Sequence, residues 1–196
     1  VYDSTQDARL AAQSDLCTIS ASERSGDNRV RRWHTDWRTQ LPATCFQGVR
    51  SMMYDVIGDI HGHAAELRQL LDRLGYAEQG GVFRHLGRQV LFLGDFIDRG
   101  PEIREVLTIV RGMVEAGAAR SVMGNHEFNA IAYHTLDPQT GEYLRPHSDK
   151  IARQHQAFLD AYANKESEYA GVIEWFKTLP LWLDLGDLRV VHACWD

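Results

Sequence analysis

The segments YDVIGDIHGH (54–63), QVLFLGDFIDRG (89–100) and RSVMGNHE (120–127) repeat one pattern, in which a short apolar run leads to a glycine and then to polar side chains. Short apolar runs of this kind are typical of strands buried in a sheet. Amphipathic stretches follow the first two segments and predict helices. Strands therefore alternate with helices, which predicts an α/β fold with a central, largely parallel sheet.

The rest of the sequence also predicts an α/β fold. Leucines in the first amphipathic stretch recur at the i, i+3, i+4 and i+7 positions of a helix face, and the second stretch begins near a proline, which is common at the start of a helix. The further predicted elements are helices over 67–74, 101–116, 127–134, 150–163 and 168–177, a loop over 135–149 and a fourth strand over 188–191.

Four potential metal ligands directly follow the predicted strands, namely Asp59, Asp95, Asn125 and His192. Ligands of open α/β sheets bind beyond the carboxyl ends of strands, so these side chains should meet at one edge, with Asp95 as a carboxylate bridge. Oxygen and imidazole donors suit a pair of divalent ions such as Mn, Fe or Zn. The glycine before each of the first three ligands should allow tight turns and a close approach to the metals. Two ions about 3.5–4 Å apart activate water and hold a phosphoryl group, which predicts a dinuclear phosphoesterase.

The motifs GDIHGH (58–63), GDFIDRG (94–100), GNHE (124–127) and VVHA (190–193) resemble those of the calcineurin-like metallophosphoesterases. The nearest resemblance is to the branch of bacterial phosphoprotein-phosphatase-like and diadenosine-tetraphosphatase-like enzymes, and it covers about 54–196. It implies a sandwich of β-sheets flanked by helices. It also implies a metal-dependent phosphatase that hydrolyses phosphate esters.

The resemblance also implies which residues bind metal. Two divalent ions are expected, with Mn favoured and Fe, Zn, Ni or Mg as alternatives. The implied ligands are Asp59 and His61 for one ion, Asp95 as the bridge, and Asn125 and His192 for the other.

Three further residues would act on the substrate according to this resemblance. His126 would be the general acid that protonates the leaving oxygen, Asp98 would orient it, and Arg99 would hold phosphate oxygens with its planar guanidinium. Other interpretations are a salt bridge of Arg99 to Glu102 or Asp98 and a purely structural role for His126. His63 is either a hydrogen-bond partner of the first motif or a substrate contact.

The chain changes in character near residue 52. Residues 1–52 contain seven arginines and six acidic residues, a net charge of +1, whereas the remainder carries −7. The first segment shows no sustained apolar period and predicts a disordered or non-native extension, while 53–196 should form the metallophosphoesterase domain. The family completes its metal site with a later Gly-His motif that does not occur before Asp196. We therefore expect an amino-terminal fragment that lacks the C-terminal part of the sandwich.

Composition limits the partners and the compartment. The net charge of −6 disfavours a nucleic-acid partner, and no apolar run approaches the roughly 20 residues that span a bilayer. Cys17, Cys45 and Cys194 form no CxxC pair, which predicts a reducing, cytoplasmic location. The expected substrate is a phosphorylated small molecule, a nucleotide or a phosphoprotein.

Two other functions stay open at this point. The chain could be a phosphodiesterase or nuclease, or a catalytically impaired fragment that binds metal or phosphate without turnover. The insert at 135–165 carries Arg145, His147, Lys150 and His155, and is either a solvated helical excursion or a cap over the site. If it is a cap, its cations favour an anionic leaving group such as a nucleotide.

Overall fold

The computed structural model describes residues 52–194. Residues 1–51 of the predicted extension over 1–52 therefore lie outside the described residues. The strands are β1 (Met53–Ile57), β2 (Ala77–Gln79), β3 (Val82–Arg84), β4 (Arg88–Phe92), β5 (Ala119–Ser121), β6 (Trp182–Asp184) and β7 (Arg189–Val191). The helices are α1 (Ala64–Arg73), α2 (Ile103–Glu115), α3 (Asn125–His134), α4 (Asp149–Ala161) and α5 (Glu166–Lys177).

Three strands form the predicted parallel sheet, in the order β1-β4-β5. Val90 in the central strand pairs with Asp55 of β1 and with Ala119 of β5, and both ladders are parallel. The three carboxyl ends therefore lie at the same edge, where the three glycine-containing motifs begin. The predicted α/β class is confirmed.

Alternate residues of β4 face two different layers, because successive side chains of a strand point to opposite faces. Val90 and Phe92 are fully buried in the main core, together with the apolar faces of α1, α2 and α5. Leu91 lies instead in a smaller cluster with Val122 and Val190. Each such side chain contributes roughly 1.5–3 kcal/mol when fully buried, so both faces of the central strand hold the sheet in place.

The helices follow their predicted faces closely. Leu67 and Leu71 of α1 are buried, whereas Leu70 lies at the edge of the apolar stripe and is 40% exposed. The longest helices, α2 and α4, have 13 residues each. None of the helices within residues 52–194 has the length and apolar character needed to cross a membrane.

The fourth predicted strand does not join the parallel sheet. β7 pairs with β6 in an antiparallel two-stranded sheet, with Leu183 opposite Val190. A parallel partner requires a long crossover, whereas the four residues between β6 and β7 suffice for a hairpin. The sequence also did not predict the β2–β3 hairpin. Its two-residue turn is Gly80-Gly81, with φ angles of 60° and 80°, and positive φ at both residues is what the shortest common hairpin turns require.

Candidate metal centre

Backbone hydrogen bonds join the loops that follow β1 and β4. The carbonyl oxygen of Asp95 accepts hydrogen bonds from the N–H groups of Ile60 (3.0 Å) and His61 (2.9 Å), and the carbonyl oxygen of His61 accepts one from Gly100 (2.8 Å). Positive φ angles occur in these loops at His61, Asp95, Asp98 and Arg99. Strained backbone of this kind costs about 1–3 kcal/mol per residue and is concentrated at functional sites.

The turns after β4 and β5 approach so closely that only glycine fits between them. A Cβ atom on Gly94 would lie 2.2 Å from the backbone nitrogen of Gly124, and a Cβ atom on Gly124 would lie 2.2 Å from Oδ1 of Asp95. These glycines therefore allow two ligand-bearing turns to meet. A Cβ atom on Gly58, in contrast, would have no neighbour within 4 Å, so packing does not explain the glycine after β1.

The sequence interpretation missed Glu127, whose carboxyl group is fully buried at the same place. Its Oε2 accepts hydrogen bonds from the backbone of Asp95 (2.8 Å) and Gly124 (3.0 Å), and its Oε1 accepts one from Phe96 (2.8 Å). Burial raises the pKa of the Glu127 carboxyl, and these N–H groups only partly oppose it. The available signal was its position three residues after the N-cap of α3, where glutamate commonly accepts backbone hydrogen bonds.

Asp95 lies between two sets of potential ligands. Its Oδ2 is 3.8 Å from Nε2 of His61, and its Oδ1 is 3.6 Å from Nε2 of His192. Oδ2 of Asp59 lies 3.5 Å from Nε2 of His61, and Oδ1 of Asn125 lies 3.0 Å from Nε2 of His192. The structure therefore brings the other four predicted metal ligands together around the buried carboxylate of the fifth, Asp95.

Two clusters of possible ligand atoms share Asp95. One contains His61 and His126, and the other contains Asp59 and His192, with the ligand atoms of each cluster within 4.8 Å of one another. The implied pairing of Asp59 with His61 also fits, because their nearest atoms are 3.5 Å apart. Distances alone thus make His126 a potential ligand as well as a potential acid.

Both imidazoles next to Asp95 are oriented by backbone carbonyls. Nδ1 of His61 lies 2.8 Å from the oxygen of Ile97, and Nδ1 of His192 lies 2.7 Å from the oxygen of Leu93. A carbonyl only accepts, so Nδ1 carries the proton and Nε2 of the neutral ring directs a lone pair into the site. Nε2 of His61 is buried without a hydrogen-bond partner in residues 52–194, and Nε2 of His192 faces the oxygen of Asn125. Converging lone pairs are satisfied by a cation, so this donor set fits divalent metal ions.

Asp98 connects two further imidazoles. Its Oδ2 lies 2.6 Å from Nδ1 of His126, and its Oδ1 lies 3.0 Å from Nδ1 of His155. Burial raises the pKa of the Asp98 carboxyl, but the hydrogen bonds from His126 and His155 outweigh burial and hold that pKa below its usual value. The hydrogen bond to Asp98 raises the pKa of His126, against a smaller opposing effect of burial. The predicted pairing of His126 with Asp98 is thus present, and His155 is an additional partner.

A cleft of about 760 Å³ lies next to this pair. Asn125 and His126 line it together with Arg99, and the insert contributes Arg145 and Arg153. The insert therefore forms part of the cleft wall, which favours the cap over a solvated excursion. His147 does not line the cleft, because its ring is stacked between two tyrosines on the insert side of α3, and Lys150 does not line it either.

The salt-bridge interpretation of Arg99 and the substrate-contact interpretation of His63 find no support in the described part of the chain, whereas the backbone N–H of His63 does donate a hydrogen bond to Ile60 of the first motif (3.1 Å). Arg99 is exposed and forms no ion pair with Glu102 or Asp98 within residues 52–194. The Glu102 carboxylate accepts a hydrogen bond from the backbone of α1 instead. His63 lies outside the cleft wall, with Nδ1 3.9 Å from the carboxylate of Glu66.

Replacing Asp98 by asparagine is expected to lower the pKa of His126 towards its ordinary value. The hydrogen bond to Asp98 is the largest cause of the raised pKa, and an amide cannot stabilise the imidazolium as a carboxylate does. An NMR titration of the His126 ring measures this change. Asp72→Asn, on the exposed side of α1, is the matched control and should leave the pKa of His126 unchanged. An unchanged value in Asp98→Asn would contradict the assignment.

The chain is similar in sequence to a known family and to individual bacterial proteins. The family model described as calcineurin-like phosphoesterase matches residues 52–193. The chain is 37% identical over 154 residues to a bis(5'-nucleosyl)-tetraphosphatase PrpE from Bacillus subtilis, covering 72% of this chain and 57% of that protein. It is 45% identical over 145 residues to the protein of the same name from Bacillus velezensis, covering 72% of this chain and 56% of that protein.

The chain is also similar to a solved structure. The crystal structure of a metallophosphoesterase from Sphaerobacter thermophilus matches with a TM-score of 0.44 and 22% identity, covering 70% of this chain and 45% of that one. The chain thus spans about half the length of the proteins that it matches.

Proposed function

The chain belongs to the calcineurin-like phosphoesterase family, and from this premise we propose that it is a dinuclear-metal-dependent phosphoesterase that hydrolyses phosphate esters. One observation supports the proposal most directly. The two oxygens of the buried Asp95 carboxylate face different imidazoles, Oδ2 towards His61 and Oδ1 towards His192. A carboxylate in this position is suited to bridge two cations.

The proposed metal ligands are the five that converge on that carboxylate. When bound, two divalent ions would activate water for attack on phosphorus and neutralise charge on the phosphoryl oxygens. Carboxylate, amide and imidazole donors without a thiolate suit Mn, with Fe, Zn, Ni or Mg as alternatives. The proposed ligands are Asp59, His61, Asp95, Asn125 and His192.

His126 is proposed as the general acid. Its Nδ1 proton is directed to Asp98, so Nε2 is the ring nitrogen that is free to hold the proton given to the leaving oxygen. The hydrogen bond to Asp98 raises the pKa of His126, which favours the protonated ring more than in an ordinary histidine. His126 lines the cleft whereas His61 is buried beneath it, and this exposure distinguishes a residue that meets substrate from one that only binds metal.

The cleft favours an anionic substrate larger than a single phosphate. We propose that Arg99 holds oxygens of the reacting phosphate, while Arg145 and Arg153 contact an anionic leaving group. A cleft of about 760 Å³ can hold a nucleotide. The names of the bacterial relatives also point to a nucleoside polyphosphate as substrate.

The test is a hydrolysis assay on the whole chain with Mn²⁺ added or removed by a chelator. We expect hydrolysis of p-nitrophenyl phosphate and of a dinucleoside tetraphosphate, and little hydrolysis of bis(p-nitrophenyl) phosphate. Asp95→Asn protein, purified in the same way, controls for contaminating phosphatases. Faster hydrolysis of the diester would favour a phosphodiesterase, and metal binding without any turnover would favour a binding fragment.

A further inference from the structure

His155 is a buried histidine of the insert that contacts Asp98, the same carboxylate that contacts the candidate acid His126. It lies on the buried face of α4, is 5% exposed, and its ring centroid is 5.0 Å from that of Phe158 and 5.3 Å from that of Tyr133. A polar ring buried among aromatic side chains is costly unless it forms a hydrogen bond. Its Nε2 has no hydrogen-bond partner in residues 52–194, so Asp98 alone satisfies this ring there.

The contact with His155 fixes the orientation of the Asp98 carboxylate. Nδ1 of His155 lies 3.0 Å from Oδ1 and 3.4 Å from Oδ2, whereas Nδ1 of His126 lies 2.6 Å from Oδ2. A carboxylate only accepts, so both Nδ1 atoms carry protons and each binds mainly one oxygen. Without His155, Oδ1 would be a buried acceptor without this donor, and the carboxylate would be free to turn away from His126.

We propose that His155 is a positioning residue, which holds the Asp98 carboxylate in the orientation that keeps the Nδ1 proton of His126 on Oδ2. The Nε2 atom of His126, which lies 3.9 Å from Oδ2 of Asp95, is then held in a single ring orientation. The kinetic consequence, efficient proton donation to the leaving group, rests on the proposed phosphoesterase function. The structural consequence for His126 does not depend on that function.

The insert would then have two roles, lining the cleft and holding the Asp98 carboxylate in position. α4 contributes His155 itself to the cleft wall, together with its sequence neighbours Arg153, Gln154 and Gln156. The helix that faces the leaving group therefore also holds the acid in place. A change in the position of α4 would alter both substrate contact and the orientation of His126.

Three substitutions of His155 in the whole chain separate positioning from packing. His155→Leu fills the space but has no donor. His155→Asn retains an N–H donor near the position of Nδ1, and His155→Gln places its amide farther out, near the position of Nε2. The Asn and Gln variants are matched in polarity, so they remain comparable if the Leu variant does not fold.

The first readout is the imidazole NMR spectrum of His126, with its signals assigned by comparison with the His126→Ala protein. We expect the downfield Nδ1 proton signal of the wild type to persist in His155→Asn and to be lost in His155→Leu and His155→Gln. A folded His155→Leu protein with an unchanged His126 spectrum would overturn the proposal. Identical His126 spectra in the His155→Asn and His155→Gln proteins would also overturn the proposal.

The second readout is kinetic. We expect His155→Leu to lower kcat for an alkyl phosphate by roughly 10- to 100-fold, by analogy with the loss seen when a hydrogen-bond partner behind a metal ligand is removed. KM and the rate for p-nitrophenyl phosphate should change little. Equal losses for both substrates would contradict positioning of the acid. If the wild-type chain hydrolyses neither substrate, the proposed function fails, and the NMR comparison still decides the role of His155.

Discussion

Replacing Asp95 by asparagine is expected to abolish the binding of a metal pair and the hydrolytic activity together. A neutral amide offers one oxygen and one NH2 group, which only donates hydrogen bonds, so it cannot bridge two dications from opposite sides. Oδ1 of Asp95 accepts a hydrogen bond from the backbone of His126 (3.0 Å), and the asparagine oxygen can retain that contact, so the fold should survive. Elemental analysis of bound Mn and a p-nitrophenyl phosphate assay on the same sample measure the two losses.

Asp72→Asn is the matched control for this experiment, because it removes an equal charge from the exposed side of α1. It should retain both the metal content and the rate of the wild type. An Asp95→Asn protein that binds two Mn ions and turns over at a near-normal rate would show that Asp95 does not bridge.

Replacing His126 by alanine is expected to slow hydrolysis by roughly 10²–10⁴-fold while leaving the metal content intact. The reason is that the alkoxide leaving group loses its proton donor, whereas the five proposed ligands are untouched. The loss should be small for p-nitrophenyl phosphate, whose leaving group hardly needs a proton, and large for an alkyl phosphate. Rates for both substrates and elemental analysis of the variant test this expectation.

His134→Ala, an exposed histidine at the end of the same helix, is the control and should behave as the wild type. Loss of one metal ion in His126→Ala would instead assign His126 to the cluster with His61 and Asp95. Equal slowing of the two substrates would argue against an acid and favour a structural role.

The sheet and most of the site could be predicted because the decisive information is local. Asp59 lies two residues and Asp95 three residues past the end of a strand, and parallel strands bring their carboxyl ends to one edge whatever their order. A short, mainly apolar run followed by glycine and aspartate therefore indicates both the strand and the position of the ligand.

The features that were missed depend on contacts between distant residues. Glu127 accepts hydrogen bonds from backbone about 31 residues away, and His155 lies 57 residues from Asp98 in sequence. No periodicity connects such positions. The pairing of β7 with β6 was missed for a related reason, since the run at 188–191 indicates a strand without indicating its partner.

The backbone contacts of Glu127 also bear on how metal ions are acquired. Because one carboxyl group ties the turn after β4 to the start of α3, the protein itself fixes the backbone on both sides of Asp95. Metal binding then has little conformational entropy to overcome at these turns. In the proposed metal centre, one ion would therefore exchange for another without local refolding, and donor chemistry and supply would set which ion is bound.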